Sequence, residues 1–103
     1  MDMDFREMLP LLRQIRRELH QIPEIGLQEY QTSAYIRRKL AEFGITETEQ
    51  WLDTGVVAVI HGKQDAPAVA FRADMDALPV TEQTGCTFVS RREGYMHACG
   101  HDG

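Results

Sequence analysis

The chain has 103 residues, 16 acidic and 11 basic, with a formal charge of −5. A length of this order accommodates one domain, and 43% hydrophobic with 26% charged residues is a globular composition rather than a disordered one. The acidic balance argues against a nucleic-acid or anionic-membrane partner, because both select a basic face. The longest apolar run, Val56–Ile60, is far short of the about 20 residues of a membrane span. The opening Met-Asp-Met-Asp-Phe-Arg-Glu lacks the cationic, apolar and small-residue zones of a secretory signal. The two cysteines, Cys86 and Cys99, are too few for a disulfide framework. These features together make a cytoplasmic protein the expectation.

The first element is a helix from about Phe5 to His20, with Phe5, Met8, Leu12, Ile15 and Leu19 on one face. Pro10 is awkward inside it, so either the first turn is frayed or the helix starts near the proline. Pro23 blocks continuation past Gln21, and Ile22–Leu27 forms a short turn. A second helix follows from about Gln28 to Phe43, with Thr32, Ile36, Leu40 and Phe43 on one face and Gly44 at the place of a left-handed cap. Thr46–Leu52 alternates weakly and is a possible edge strand. Gly55–His61 and Ala68–Ala73 are rich enough in β-branched and apolar residues to predict two buried strands, separated by the turn Gly62–Pro67. From Asp74 to Gly103, Pro79, Gly85, Gly94 and Gly100 break up any long element, which predicts mostly loop. The expected fold class is α/β: two helices packed on a small sheet of two or three strands, followed by a long loop.

The densest chemistry lies in Met96-His97-Ala98-Cys99-Gly100-His101-Asp102-Gly103. Two imidazoles, a thiol and a carboxylate stand within six residues, a sulfur and nitrogen mixture suited to zinc. In extended backbone, positions 97, 99 and 101 share a side, and Gly100 allows the bend that brings Cys99 and His101 to one ion. The plainer alternative is a loop with two surface histidines and a buried cysteine. Asp74-Met75-Asp76 forms a second cluster at the end of an expected strand, where sites form in open α/β sheets. Two carboxylates spaced by two share one side of an extended chain and can bind a cation or orient a histidine; a solvated strand end before Pro79 is the alternative. His20-Gln-Ile-Pro-Glu24 is weaker. His20 suits a helix carboxyl end, whereas Glu24 can face a site if the turn folds toward the strand ends. His61 is expected in an exposed turn, Cys86 as a small packing residue, and Arg37-Arg38-Lys39 on a solvated face. The chain has no glycine-rich phosphate loop and no Gly-x-Ser-x-Gly elbow.

Five stretches, in order, resemble a known family: Arg16–Gly26, Thr54–Ala58, Arg72–Pro79, Glu82–Gly85 and Met96–Asp102. They are similar to the amidohydrolase branch of the zinc metallopeptidases, which includes hippurate hydrolase, the indole-acetyl-amino-acid hydrolases and N-acetyl-diaminopimelate deacetylase, and is related to aminoacylase and the glutamate-releasing carboxypeptidases. The resemblance implies hydrolysis of an amide between an acyl group and an amino acid at a site of two divalent metal ions (zinc, manganese, cobalt or nickel). It assigns metal ligation to Cys99 and His101, and an active-site role, orienting and tuning the metals, to Asp76. The metals polarise the carbonyl and activate a water, while a glutamate serves as general base.

In the family that glutamate, the remaining ligands and a smaller dimerisation domain come later than the His-Ala-Cys-Gly-His-Asp motif. The resemblance therefore implies that residues 1–103 are a single incomplete catalytic domain, the opening portion of a larger enzyme, without the base and inactive alone. His97 or Asp102 remains open as a further ligand. The implied partner is a small N-acyl amino acid, with N-acetyl-diaminopimelate the alternative favoured by Gln21-Ile22 after His20, and the parent is expected to be a homo-oligomer. A non-enzymatic metal-binding fragment is the competing reading. With few strands and unpaired edges, the chain is expected to be marginally stable or to self-associate.

Overall fold

The computed structural model describes residues 4–102; Gly103, the end of the expected loop, lies outside them. Helix α1 spans Phe5–His20 and helix α2 spans Tyr30–Glu42, close to the bounds expected from periodicity. Asp4 caps α1, its side chain accepting the Arg6 N–H at 3.1 Å. The helix runs straight through Pro10, so neither alternative for that residue holds. Starting at Phe5, the helix reaches Pro10 in its second turn, and the missing N–H there costs a single intrahelical bond.

Helix α2 closes as its sequence predicts. Gly44 adopts φ +83°, the Gly44 N–H donates to the Ala41 carbonyl at 2.9 Å, and the Ile45 N–H donates to the Leu40 carbonyl at 2.8 Å. This paired closure satisfies two carbonyls that the helix end would leave free, and it requires the left-handed backbone that glycine adopts without a Cβ penalty.

Strand β1, Thr48–Trp51, pairs antiparallel with strand β2, Gly55–Ala58, in the register Thr48↔Ala58 to Trp51↔Gly55. The tight connection places Leu52 at φ 51° and Asp53 at φ 67°. A Cβ on Gly55 would stand 2.8 Å from the Trp51 carbonyl oxygen, so only glycine fits the close return. The architecture is α/β, two helices and a two-stranded sheet followed by a long irregular run. That run ends in a single 3-10 turn at Gly100–Asp102.

Two strand expectations need correction. Gly55–His61 was expected to be buried, but only Gly55–Ala58 is a strand, its last two residues are exposed, and Ile60 is 74% exposed. Ala68–Ala73 forms no strand at all; Val69 and Phe71 are 79% and 97% exposed. Apolar and β-branched content favours a strand, but a strand also needs a neighbour to take its N–H and C=O groups. Among the described residues nothing runs alongside 68–73.

Burial is concentrated elsewhere. The buried side chains are Pro23, Tyr35 and Ala77 together with Glu24, Glu29, Thr32, Ser33 and Thr54. They gather where the 21–29 turn meets the start of α2 and the Ala77 backbone. Leu12, Ile15 and Leu19 of α1 and Thr32 and Ile36 of α2 line an open cavity of about 330 Å³ together with Asp74, Met75, His97 and Asp102.

Candidate metal centre

The turn after α1 is the frame on which the candidate residues hang. Pro23 is fully buried, and the Glu24 carbonyl accepts the Ala77 N–H at 2.7 Å, so that Ile25 bridges Ala77 in parallel. Leu78 in turn exchanges two hydrogen bonds with Met96, at 2.9 and 3.0 Å. Three short extended passes thus lie side by side. Asp76 immediately precedes the middle one, and His97 immediately follows the outer one.

The Glu24 carboxylate holds this frame together. It accepts the Thr32 N–H at 2.6 Å, the Thr32 hydroxyl at 2.7 Å and the Gln31 N–H at 3.1 Å, and it pairs with the Arg92 guanidinium at 3.4 Å. Gln31 and Thr32 belong to the first turn of α2, whose free N–H groups and positive end favour an anion. Burial works against the charge of Glu24, but the Thr32, Gln31 and Arg92 donors outweigh it and hold the carboxyl below its ordinary value. Glu29, also buried, takes the Leu27 N–H at 2.8 Å and the Thr54 hydroxyl at 2.5 Å.

Cys99 and His101, the expected ligands, come together. Cys99 Sγ lies 3.6 Å from His101 Nδ1, and both side chains are exposed. Ligands at about 2.3 Å (sulfur) and about 2.0–2.1 Å (nitrogen) from a tetrahedral zinc stand roughly 3.6 Å apart. The pair therefore fits two corners of one coordination sphere. Among the described residues no group of three or more His, Cys, Asp or Glu side chains converges as a metal site, so two donors and no third come together there.

Asp76 is exposed and joins neither of them directly. Its carboxylate faces Gly26, where a Cβ would stand 3.8 Å from Asp76 Oδ2 and 3.9 Å from Glu29 Oε1. Asp74 pairs with Arg72 at 2.9 Å. His97 and Asp102 both line the cavity, and His97 Nε2 and Asp102 Oδ2 are buried without a hydrogen-bond partner. Burial pushes the His97 imidazole below its ordinary range and His20 adds to that, against the opposing pull of the Asp102 carboxylate, a hydrogen bond to the Asp76 backbone and the Asp76 charge.

His20 ends α1 as expected, but it is more than a helix terminus. Its Nε2 lies 2.9 Å from Glu82 Oε1, with the two side chains 11% and 4% exposed. Its ring meets Phe88 edge-on at 5.7 Å and His97 at 6.4 Å. Glu82 also accepts the Ser90 N–H at 2.8 Å and the Thr84 hydroxyl. Burial opposes its charge, yet the Thr84, Ser90 and His20 contacts hold the carboxyl down at about 2. Cys86 sits against this cluster, its Sγ 3.5 Å from Glu82. His61 is exposed and pairs with Glu47 at 2.5 Å.

Residues 70–103 match the sequence profile of Peptidase family M20/M25/M40. Over 97 residues, 92% of its length, the chain is 48% identical to N-acetyldiaminopimelate deacetylase of Oceanobacillus iheyensis, of which it covers 26%. Over 88 residues, 85% of its length, it is 51% identical to N-acetyl-L-cysteine deacetylase of Bacillus subtilis, of which it covers 21%. The fold matches the crystal structure of a Bacillus subtilis dinuclear metal-binding peptidase of the M20 family, with a TM-score of 0.87 and 46% identity, over 96% of this chain and 28% of that one. Among the described residues no helix is long and apolar enough to cross a membrane.

The resemblance first visible in the motifs thus holds in sequence and in fold: the chain is similar to the M20/M25/M40 peptidases, and it spans about a quarter of the length of the relatives it matches.

Proposed function

We propose that this chain carries part of the catalytic domain of a metal-dependent amidohydrolase that removes the acyl group from N-acyl amino acids. The observation that carries the reading is the exposed Cys99–His101 pair, whose 3.6 Å spacing suits one divalent ion. The relatives named as deacetylases of small N-acetylated amino acids supply the substrate class. N-acetyl-diaminopimelate is the first substrate to try; N-acetyl-cysteine and hippurate are the alternatives.

In this reading Cys99 and His101 hold one edge of a two-ion centre, of zinc, manganese, cobalt or nickel. A divalent ion there supplies Lewis acidity toward an amide carbonyl. Asp76, at the end of the Asp74–Asp76 segment, contributes negative charge beside His97 and Gly26, where it can orient the groups around the centre. The ligand count sets the limit of this chain's own chemistry. Catalytic zinc takes three protein ligands, and two converge among the described residues. The isolated chain is therefore expected to bind metal without turnover, and activity requires further ligands and a general base. A purely metal-binding role is the second reading, favoured by that same two-donor count. The intact enzyme is expected to be cytoplasmic and homo-oligomeric, with a separate dimerisation domain.

The test is a graft. Residues 4–102 replace the matching segment of the Bacillus subtilis N-acetyl-L-cysteine deacetylase, and release of free amino acid is followed with zinc, manganese or cobalt present. Metal-dependent turnover that disappears with Cys99→Ala supports the hydrolase reading. A folded, metal-loaded graft without turnover, or one indifferent to Cys99→Ala, overturns it.

A further inference from the structure

We propose that His20 and Glu24 are positioning residues: they clamp the 79–95 loop from two sides and so set where the ligand segment that starts at His97 stands. The proposal rests on the metal reading of Cys99 and His101.

The loop leaves Leu78 and returns at Met96, where two backbone hydrogen bonds of 2.9 and 3.0 Å close its base. A loop held only at such a narrow base can swing about it, and His97 is the next residue along the chain. The Arg91 N–H donates to the Gln21 carbonyl at 3.1 Å and Arg17 lies over the Phe88 ring at 4.7 Å, and two side-chain pairs fix the loop's register beyond these. His20 Nε2 meets Glu82 Oε1 at 2.9 Å, and Glu24 Oε2 meets Arg92 Nη1 at 3.4 Å. The end of α1 and the turn after it thus present an imidazole and a carboxylate, and the loop answers with a carboxylate and a guanidinium. The polarity is crossed. A loop displaced so that Arg92 faced His20 would set cation against imidazole, and Glu82 at Glu24 would oppose two buried carboxylates. Only the observed register satisfies all four groups.

Each partner also organises its own side of the clamp. Glu82 takes the Ser90 N–H at 2.8 Å, so tethering Glu82 tethers the far limb of the loop. Arg92 donates to the Pro23 carbonyl at 3.3 Å and to the Gln31 side chain, and so spans turn and helix. The His20 ring then stands 6.4 Å from the His97 ring. This gives the His20-Gln-Ile-Pro-Glu24 motif a purpose that neither helix capping nor metal ligation provides. The proline turn sets the two clamp residues at the spacing of Glu82 and Arg92.

The test is a cobalt(II) titration of the full chain, read by thiolate-to-cobalt absorption from Cys99. His20→Leu fills the ring's volume without a hydrogen bond. His20→Gln places an amide donor close to the position of the imidazole Nε2–H. The clamp predicts affinity about tenfold weaker in His20→Leu, restored to within about threefold in His20→Gln. Equal binding by wild type and a folded His20→Leu overturns it, as does weakening that His20→Gln does not relieve. If wild-type chain shows no such absorption, the metal reading has failed instead. Hydrogen exchange at the Met96 amide then decides the clamp: faster in His20→Leu but not in His20→Gln if it exists, and the same in both if it does not.

Discussion

Between Glu24 and Thr54 the chain buries carboxylates and hydroxyls, whereas every residue from Val57 to Asp74 is exposed, valines, isoleucine and phenylalanine included. The distribution inverts the usual one, and hydrogen bonding explains both halves apart from the Ser33 hydroxyl, which is buried without a partner. Glu24 and Glu29 are tolerated inside because each oxygen they bury has a donor from Thr32, Gln31, Arg92, Leu27 or Thr54. Residues 68–73 remain outside because apolar character draws a segment into a sheet only when its backbone groups find a neighbour as well. Satisfied polarity therefore organises this chain more than hydrophobicity does.

The strongest way to break that comparison is to unpair the buried carboxylate. Glu24→Ala strands the Thr32 and Gln31 N–H groups and the Arg92 charge, and should cost about 3 kcal/mol of stability, measured by urea unfolding. A loss under about 0.5 kcal/mol would show that the network is ornamental.

Acid should dismantle the same side of the molecule. Glu82 is held at about 2 against an ordinary 4.5, and Glu24 and Glu18 are lowered too. A carboxyl lowered in the folded state contributes stability that is fully present above the unfolded value and lost as pH falls through the folded one. Unfolding followed by circular dichroism should thus advance between about pH 4.5 and about 2, the window set by Glu82. Glu82→Gln should remove about 2 kcal/mol at neutral pH and flatten that acid limb. A limb of unchanged slope would separate Glu82 from acid stability.

Thr54→Val is a narrower probe. It deprives Glu29 of its 2.5 Å donor while keeping the side chain's shape, and about 1–2 kcal/mol should be lost in the same urea experiment. The smallest effect is expected on the apolar side. Phe71→Lys changes a side chain that is 97% exposed, so stability should move by less than about 0.5 kcal/mol, while any self-association seen by analytical ultracentrifugation should weaken. A large loss of monomer stability would mean that residues 68–73 are packed after all.

The helices were legible because periodicity and caps are local. The apolar steps from Phe5 to Leu19 and the glycine at position 44 act within one or two turns of the backbone they shape. Strand 68–73 was not, because composition reports what a segment prefers and pairing depends on a neighbour elsewhere in the chain. Spacing put His97, Cys99 and His101 on one side of an extended stretch, and only the family resemblance singled out Cys99 and His101, which Gly100 lets approach to 3.6 Å. The roles of Glu24 and Glu82 could not be, because their partners stand far along the chain, Arg92 for Glu24 and His20 for Glu82. The one available signal was the pairing of histidine and glutamate around Pro23, which helix-end chemistry explains only in part.

The account stands most directly on the Cys99–His101 edge. X-ray absorption at the zinc K-edge of the zinc-loaded chain should show one sulfur at about 2.3 Å and imidazole nitrogen at about 2.0–2.1 Å, with the sulfur lost in Cys99→Ala. A shell of oxygen and nitrogen alone in the wild-type chain, or a spectrum that Cys99→Ala leaves unchanged, would contradict it.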